Sequence, residues 1–273
     1  MKVIVITGAS DGIGAEIARQ LARQSAQQGG YALVLAARNP GTLQVVAAEC
    51  DALGADKTLV VPTDVAVQAQ CQALMAAAMQ RFGKIDALIN NAGRSAQAIL
   101  SEVAADQLGW YEELMRVNLW GSVWCTHAAL PHLRTSQGSV VAVSSLAGLF
   151  GVPGRTAYCA SKFAMTGFFE ALRVELKHAG VSVTTAYPGV VATKIRYHGF
   201  NAQGQLAGRS GLKEDAAMPV DVCARLIIRG MQQRQREVVM TSKGKLGRWL
   251  KLLVPGVVEN LALNALKDDV KPR

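Results

Sequence analysis

The chain has 273 residues, 50% of them hydrophobic, and a formal net charge of +9, enough length and apolar content for one domain around one sizeable core. Its cysteines, at 50, 71, 125, 159 and 223, are odd in number and scattered without a CxxC pair, which excludes a disulfide framework or zinc site and predicts no bound metal. The basic balance favours anionic partners, a phosphorylated cofactor or an anionic membrane surface; without a nucleic-acid motif or a long basic run, nucleic acid is set aside.

Short β-branched runs alternate with helical patterns along the chain, the signature of βαβ units and a parallel sheet. Seven strands are predicted, over 3–7, 32–37, 58–61, 87–90, 139–143, 182–187 and 237–240. Met1 to Thr7 lacks the charged start, apolar stretch and cleavage site of a secretory signal, so the expected location is cytoplasmic.

Gly8-Ala9-Ser10-Asp11-Gly12-Ile13-Gly14 follows the first strand and opens a helix. Glycines there let the backbone approach a pyrophosphate, and the helix N-terminus supplies N–H donors, although the spacing is GxxxGxG and not the usual GxGxxG. The link over 24–30 to the second strand is longer than such units need. The second strand ends at Arg38, where an acid would hold the ribose 2′-hydroxyl of NAD; arginine there suits the 2′-phosphate of NADP(H), with NAD the weaker expectation and Asp11 a nearby charge against. Asn39 and Pro40 announce a helix closing near Gly54, and another runs to Phe82 and stops at Gly83. Asp64 after the third strand and Asn90-Asn91-Ala92-Gly93 after the fourth sit at the carboxyl edge of the sheet, where ligands bind.

Ser145 ends the fifth strand at the same edge, where its hydroxyl can polarise a substrate oxygen, with Ser144 the neighbour to be told apart from it. Tyr158 and Lys162 lie one helical turn apart on one face. Tyrosine ordinarily titrates near 10, and a neighbouring ammonium favours the phenolate, so Lys162 is expected to ease proton exchange. Cys159 reads as a small buried filler.

Residues 193–218 form a glycine-containing stretch expected to act as a mobile substrate lid. Phe200 and Leu206 suit an apolar substrate, and Arg196, Tyr197, His198 and Arg209 a polar one. From Lys243 onward seven basic and three acidic residues follow, with Leu246, Trp249, Leu250 and Leu253 at helical spacing. The favoured expectation packs that apolar face on the body or a partner subunit; the alternative lays a basic amphipathic tail on an anionic membrane. Residues 1–241 are thus read as the dinucleotide-binding and catalytic domain and 242–273 as this tail, too short in either apolar stretch to cross a bilayer.

Taken in order, Thr7-Gly8-Ala9-Ser10-Asp11-Gly12-Ile13-Gly14, Asn90-Asn91-Ala92-Gly93, Ser145, Tyr158-x-x-x-Lys162 and Pro188-Gly189 resemble the short-chain dehydrogenase/reductase family over about the first 240 residues. The resemblance implies a Rossmann-like, doubly wound α/β fold and hydride exchange between nicotinamide and a carbonyl or alcohol carbon. In that scheme Tyr158 moves the oxygen-bound proton, Lys162 also binds the nicotinamide ribose, Ser145 holds the substrate oxygen and Asn118 anchors a water for proton relay. It further implies that Ser10 and Ile13 contact the phosphate and ribose region, Asp64 and Val65 the adenine, Asn91 the adjoining ribose, and Val191 and Thr193 the carboxamide. A homodimer or homotetramer is implied too. The competing readings are a non-catalytic NADP(H) sensor and a sugar-nucleotide epimerase or dehydratase.

Overall fold

Val3 and Val5 alternate with Ile4 and Ile6 along the first strand, and all four are buried. A strand apolar on both sides must be covered on both sides, the condition met when helices flank a parallel sheet. The computed structural model, which describes residues 1–28, 30–55 and 57–267, has this architecture.

Strands β1 (Lys2–Thr7), β2 (Tyr31–Ala37), β3 (Lys57–Pro62), β4 (Ala87–Asn90), β5 (Ser139–Val143), β6 (Ser182–Tyr187) and β7 (Glu237–Val239) form one sheet in the order β3-β2-β1-β4-β5-β6-β7. Every pairing is parallel. Each strand lies within one residue of its predicted bounds, so the chain is the Rossmann-like, doubly wound α/β fold expected. Between the strands run α1 (Gly12–Gln28), α2 (Pro40–Ala52), α3 (Gln68–Phe82), α4 (Gly109–Met115), α5 (Gly121–Ser136), α6 (Thr156–Glu175) and α7 (Val220–Gln232), followed by α8 (Ser242–Leu253) and α9 (Pro255–Asn264).

One core layer joins Ile4, Ile6, Leu33 and Leu35 of the sheet to Ile17 and Leu21 of α1, Leu43 of α2 and Ile227 of α7. The other joins Val3, Val5 and Val34 to Leu74 of α3, Leu133 of α5 and Phe169 of α6. The chain winds outward from β1 to β3 and returns to β4 on the other side of β1, leaving a crevice at the carboxyl ends of β1 and β4. The glycine-rich loop and the Asn90–Gly93 turn both open into it.

Local signals act as their chemistry demands. Asn39 caps α2, its side-chain oxygen accepting from the N–H groups of Gly41 and Thr42, and α3 stops at the left-handed Gly83. The long link of 24–30 is taken up largely by extending α1 to Gln28, with position 29 outside the described residues. Between α4 and α5 the helix widens into a π turn over Arg116–Trp120, centred on the buried Asn118; such turns mark places where a helix aims a side chain at a site.

The tail departs from expectation. Within 242–267 (268–273 lie outside the described residues), α8 turns its glycines inward: a Cβ on Gly244 would lie 2.6 Å from Leu146, and one on Gly247 3.3 Å from Phe150. The side chains opposite face outward, with Leu246 61%, Trp249 68% and Leu253 78% exposed. Packing on the body is therefore overturned for Leu246, Trp249 and Leu253, while Leu250 is half-buried, because the small glycines bring the helix backbone close and leave the rest of the apolar face on the far side.

Candidate active site

The glycine-rich loop is fixed by contacts that explain its spacing. Gly8 and Gly12 have φ of 65° and 55°, a region other residues enter with strain. Gly14 serves a different purpose: a Cβ there would lie 2.2 Å from the Gly8 oxygen and 2.5 Å from Asn91 Nδ2. Asn91 itself donates from Nδ2 to the carbonyls of Thr7 (3.0 Å) and Gly8 (3.1 Å), while Thr7 Oγ1 accepts from the N–H groups of Asn91 and Ala92, both at 3.0 Å. The loop after β1 and the turn after β4 are thus one unit. Overpacking of this kind costs about 1–3 kcal/mol, so Gly14→Ala is expected to lower the melting temperature and weaken binding of a reduced nicotinamide dinucleotide at least tenfold, as read by thermal denaturation and fluorescence titration with NADH and NADPH.

In front of this unit lies a cavity of about 450 Å³, within the roughly 300–1,000 Å³ typical of cofactor pockets. Gly8, Ser10, Gly12, Ile13, Arg38, Asp64, Val65, Asn91 and Thr193 all line it. Asp11 also lines it, and its carboxylate accepts from the Gly12 N–H at 2.7 Å, so part of its charge is spent on the helix terminus. Asp64 likewise accepts from the Ala66 N–H at 2.9 Å. Arg94, which the sequence reading missed, lines the same cavity; burial, countered by Glu113, lowers its affinity for a proton, and the nearby Arg38 adds to that lowering.

Gly93 joins this cavity to the residues of chemical interest. A Cβ on it would lie 3.2 Å from Asn118 Oδ1 and 3.7 Å from Lys162 Nζ. Asn118 accepts from the Arg94 N–H at 2.7 Å and donates from Nδ2 to the Arg94 carbonyl (3.0 Å) and Ser161 Oγ (2.9 Å). Both amide hydrogens are committed, so the side chain clamps the β4 turn to α6. Lys162 is buried and donates to the Val143 carbonyl at 3.0 Å, at the end of β5. Burial, reinforced by the Arg155 guanidinium, pulls its pKa from the ordinary 10.5 down to about 7.

The two serines separate cleanly. Ser144 is buried with its hydroxyl donating to the Lys162 carbonyl at 3.3 Å, whereas Ser145 is half-buried and its Oγ accepts from the Ala147 N–H at 3.2 Å, leaving the hydroxyl proton to donate elsewhere. Tyr158 is 7% exposed within an apolar cluster that includes Trp110, Ala147 and Phe200. Two cations lie near its ring, the Arg155 guanidinium 4.2 Å and Lys162 Nζ 5.8 Å from the centroid.

Arg155 is the main residue that sequence reasoning missed. It is buried, and its guanidinium donates to Ser95 Oγ (2.6 Å) and the Ala96 carbonyl (3.3 Å). Its position one turn before Tyr158 on the same face is a visible signal; the neutral partners that permit its burial come from a segment some sixty residues away. Cys159 is buried, its thiol pKa raised by desolvation, and its Sγ accepts from the Val152 N–H at 3.3 Å, a structural role.

The stretch over 193–218 is tied down rather than open. Phe200 pairs with Ala96, the Gln97 N–H donates to the Phe200 carbonyl at 2.8 Å, and Val191 pairs with Met218. Arg196 is corrected from a candidate for substrate binding to a structural residue: it is buried, paired with Glu214 at 2.5 Å and donating to the Val191 carbonyl at 2.9 Å. Phe200 is buried against Trp110 and under Arg94, while Leu206 and His198 reach the cavity and Thr193 sits over Gly12. Among the described residues no group of three or more His, Cys, Asp or Glu side chains is placed to hold a metal.

Comparison with known proteins agrees with this geometry. The family model described as short chain dehydrogenase matches residues 2–203. The chain is 35% identical to 11-beta-hydroxysteroid dehydrogenase-like 4A of Arabidopsis thaliana, over 93% of this chain and 81% of that one. It is 37% identical to dehydrogenase/reductase SDR family member 7 of Mus musculus, over 86% and 69%. Among solved structures, a short-chain dehydrogenase/reductase from Burkholderia phymatum in complex with NAD aligns with a TM-score of 0.79 at 27% identity, covering 94% of both chains. An alcohol dehydrogenase from Thermococcus sibiricus complexed with 5-hydroxy-NADP aligns with a TM-score of 0.71 at 26% identity, covering 88% of this chain and 94% of that one.

Proposed function

The chain belongs to the short-chain dehydrogenase/reductase family and is an oxidoreductase acting on CH–OH or C=O groups; from that premise we propose an NADP(H)-dependent enzyme that interconverts a secondary alcohol and a carbonyl, with Tyr158 carrying the proton. The observation that carries the proposal is that Lys162 Nζ lies 5.8 Å from the Tyr158 ring centroid and beside Gly93, a residue that lines the cavity.

Gly8, Ser10, Gly12 and Ile13 would hold the pyrophosphate and its ribose, Asp64, Val65 and Asn91 the adenosine, and Val191 and Thr193 the carboxamide end. When bound, the nicotinamide donates or accepts the hydride at the substrate carbon. Ser145 donates its hydroxyl proton to the substrate oxygen and fixes its position. Tyr158 then gives that oxygen a proton in reduction, or takes it in oxidation. Lys162 and Arg155 favour the anionic side of this exchange by their charge, and Lys162 also orients the ribose. Asn118 keeps Gly93 against Lys162, and a relay through a water that it anchors remains part of the proposal. The apolar cluster around Tyr158 and the hydroxysteroid dehydrogenase names of several relatives support a bulky apolar alcohol or ketone.

NADP(H) is favoured over NAD by Arg38, just after β2, and Arg94, which lines the same cavity. Charged hydrogen bonds contribute about 1.5–3 kcal/mol, so Arg38→Asp is expected to reduce the ratio of kcat/KM for NADPH over NADH by about 10- to 100-fold. An unchanged ratio would remove Arg38 from this account. The proposal extends to a cytoplasmic enzyme, supported by five free, buried thiols, and to a homodimer or homotetramer, supported by the exposed Trp120 stacked on Trp124 and by Val174 on the outer face of α6.

A further inference from the structure

Outside the active site, the largest group of exposed apolar side chains lies on the two C-terminal helices. On α8, Leu246, Trp249, Leu252 and Leu253 are 61%, 68%, 74% and 78% exposed, and on the adjoining α9, Val257 and Leu261 are 49% and 57% exposed. Leu246, Trp249 and Leu253 lie on the side of α8 turned away from Gly244 and Gly247, which pack on Leu146 and Phe150, and among the described residues none covers them.

The charge on α8 selects the occupant. Lys243, Lys245, Arg248 and Lys251 give the helix four positive charges and no acid. Lys251 donates to the Leu149 carbonyl at 3.0 Å and Arg248 pairs with Glu237, both on the body side, while Lys243 and Lys245 remain exposed beside the apolar stripe. A second copy brought to this face would set like charges against each other, whereas an anionic bilayer complements both the stripe and its basic margin. No described helix is long and apolar enough to cross a membrane.

We infer that the α8–α9 hairpin docks this protein on an anionic lipid surface, with Leu246, Trp249, Leu252 and Leu253 entering the acyl boundary and Lys243 and Lys245 meeting the headgroups. The docked hairpin is joined to the segment that covers the active site. Leu212 and Leu266 form an antiparallel bridge, the Lys213 N–H donates to the Ala265 carbonyl at 3.1 Å, and the Lys267 N–H donates to the Gly211 carbonyl at 3.0 Å. Docking is therefore tied to the 193–218 stretch, of which Leu206 and His198 line the cavity.

The test is co-sedimentation of the full chain with phosphatidylcholine vesicles, with and without phosphatidylglycerol, alongside the double variant Leu246→Glu/Leu253→Glu. Both positions are exposed, so the variant should keep its thermal midpoint and NADPH binding. Each basic residue near such a surface contributes about 1 kcal/mol, so the natural chain should bind the anionic vesicles at least tenfold more tightly than the neutral ones, and the variant should remain in solution with both. Equal sedimentation of natural chain and variant, or no preference for the anionic lipid, overturns the inference. So does light scattering that shows the variant converting an oligomer to a smaller species while neither protein binds vesicles, which would make a second copy the occupant.

Discussion

Tyr158→Phe is expected to lower kcat/KM for carbonyl reduction by about 10²- to 10⁴-fold, the range in which a positioned proton donor contributes, while NADPH binding and thermal stability stay close to those of the natural chain. The expectation of intact structure follows from where the ring sits. Tyr158 packs in an apolar cluster with Trp110, Ala147 and Phe200, and a phenylalanine ring fills the same space. The Arg155 guanidinium, 4.2 Å from the ring centroid, acts on the π face and keeps its contact with phenylalanine. Only the hydroxyl is lost. NADPH oxidation measured against a panel of bulky ketones decides the matter: a variant as fast as the natural enzyme excludes Tyr158 as the proton carrier. A natural chain that binds NADPH and turns over none of the panel favours the sensor.

The parts of this site that the sequence displays are those governed by local chemistry. Short apolar runs, most of them β-branched, mark the strands, and a strand's carboxyl end marks where a ligand can sit, so Arg38, Asp64, Asn91 and Ser145 could be placed before any coordinates. Three features resisted for a common reason. Arg155 is buried only because Ser95 and Ala96 arrive from a distant segment to accept its protons. Arg196 leaves the list of substrate contacts because Glu214 lies beside it. The helical period of α8 reveals an apolar stripe but not which way it turns, and that is decided by whether Leu146 and Phe150 meet the stripe or the glycines. Periodicity carries phase along one element; it carries nothing about the element opposite.

Lys162→Met should separate the charge of this lysine from its packing, and the sign of the effect is specific. In the folded protein burial, reinforced by Arg155, brings Lys162 down to about 7, whereas in the unfolded chain it returns to about 10.4. Below pH 7 the group is protonated in both states and folding bears the full cost of burying an ammonium. Between pH 7 and the unfolded value, the unfolded chain binds the extra proton, so raising the pH stabilises the fold, by about 1.4 kcal/mol per pH unit in the middle of that window. Methionine cannot titrate. The difference in unfolding free energy between natural chain and variant, taken by denaturant titration from pH 7 to pH 8.5, should therefore change with that slope, and the variant should be the more stable at neutral pH. Taking the difference cancels the buried thiols: desolvation pushes Cys50 up to about 11 and Cys223 up to about 12, and both act equally in the two proteins. Arg155→Met supplies the second arm. With the guanidinium gone, the onset of the rise should move above pH 7, because one of the two causes of the lysine's depression has been removed. A slope unaffected by Lys162→Met would show that the lysine is not depressed by its burial, and an onset unaffected by Arg155→Met would show that the guanidinium plays no part in the depression. Catalysis should change in the opposite direction to stability, with Lys162→Met slower at and below about pH 7, where the lysine carries its charge, and the gap narrowing as the pH rises above it. The buried ammonium would then be a group that the fold carries at a cost because proton transfer at Tyr158 depends on it.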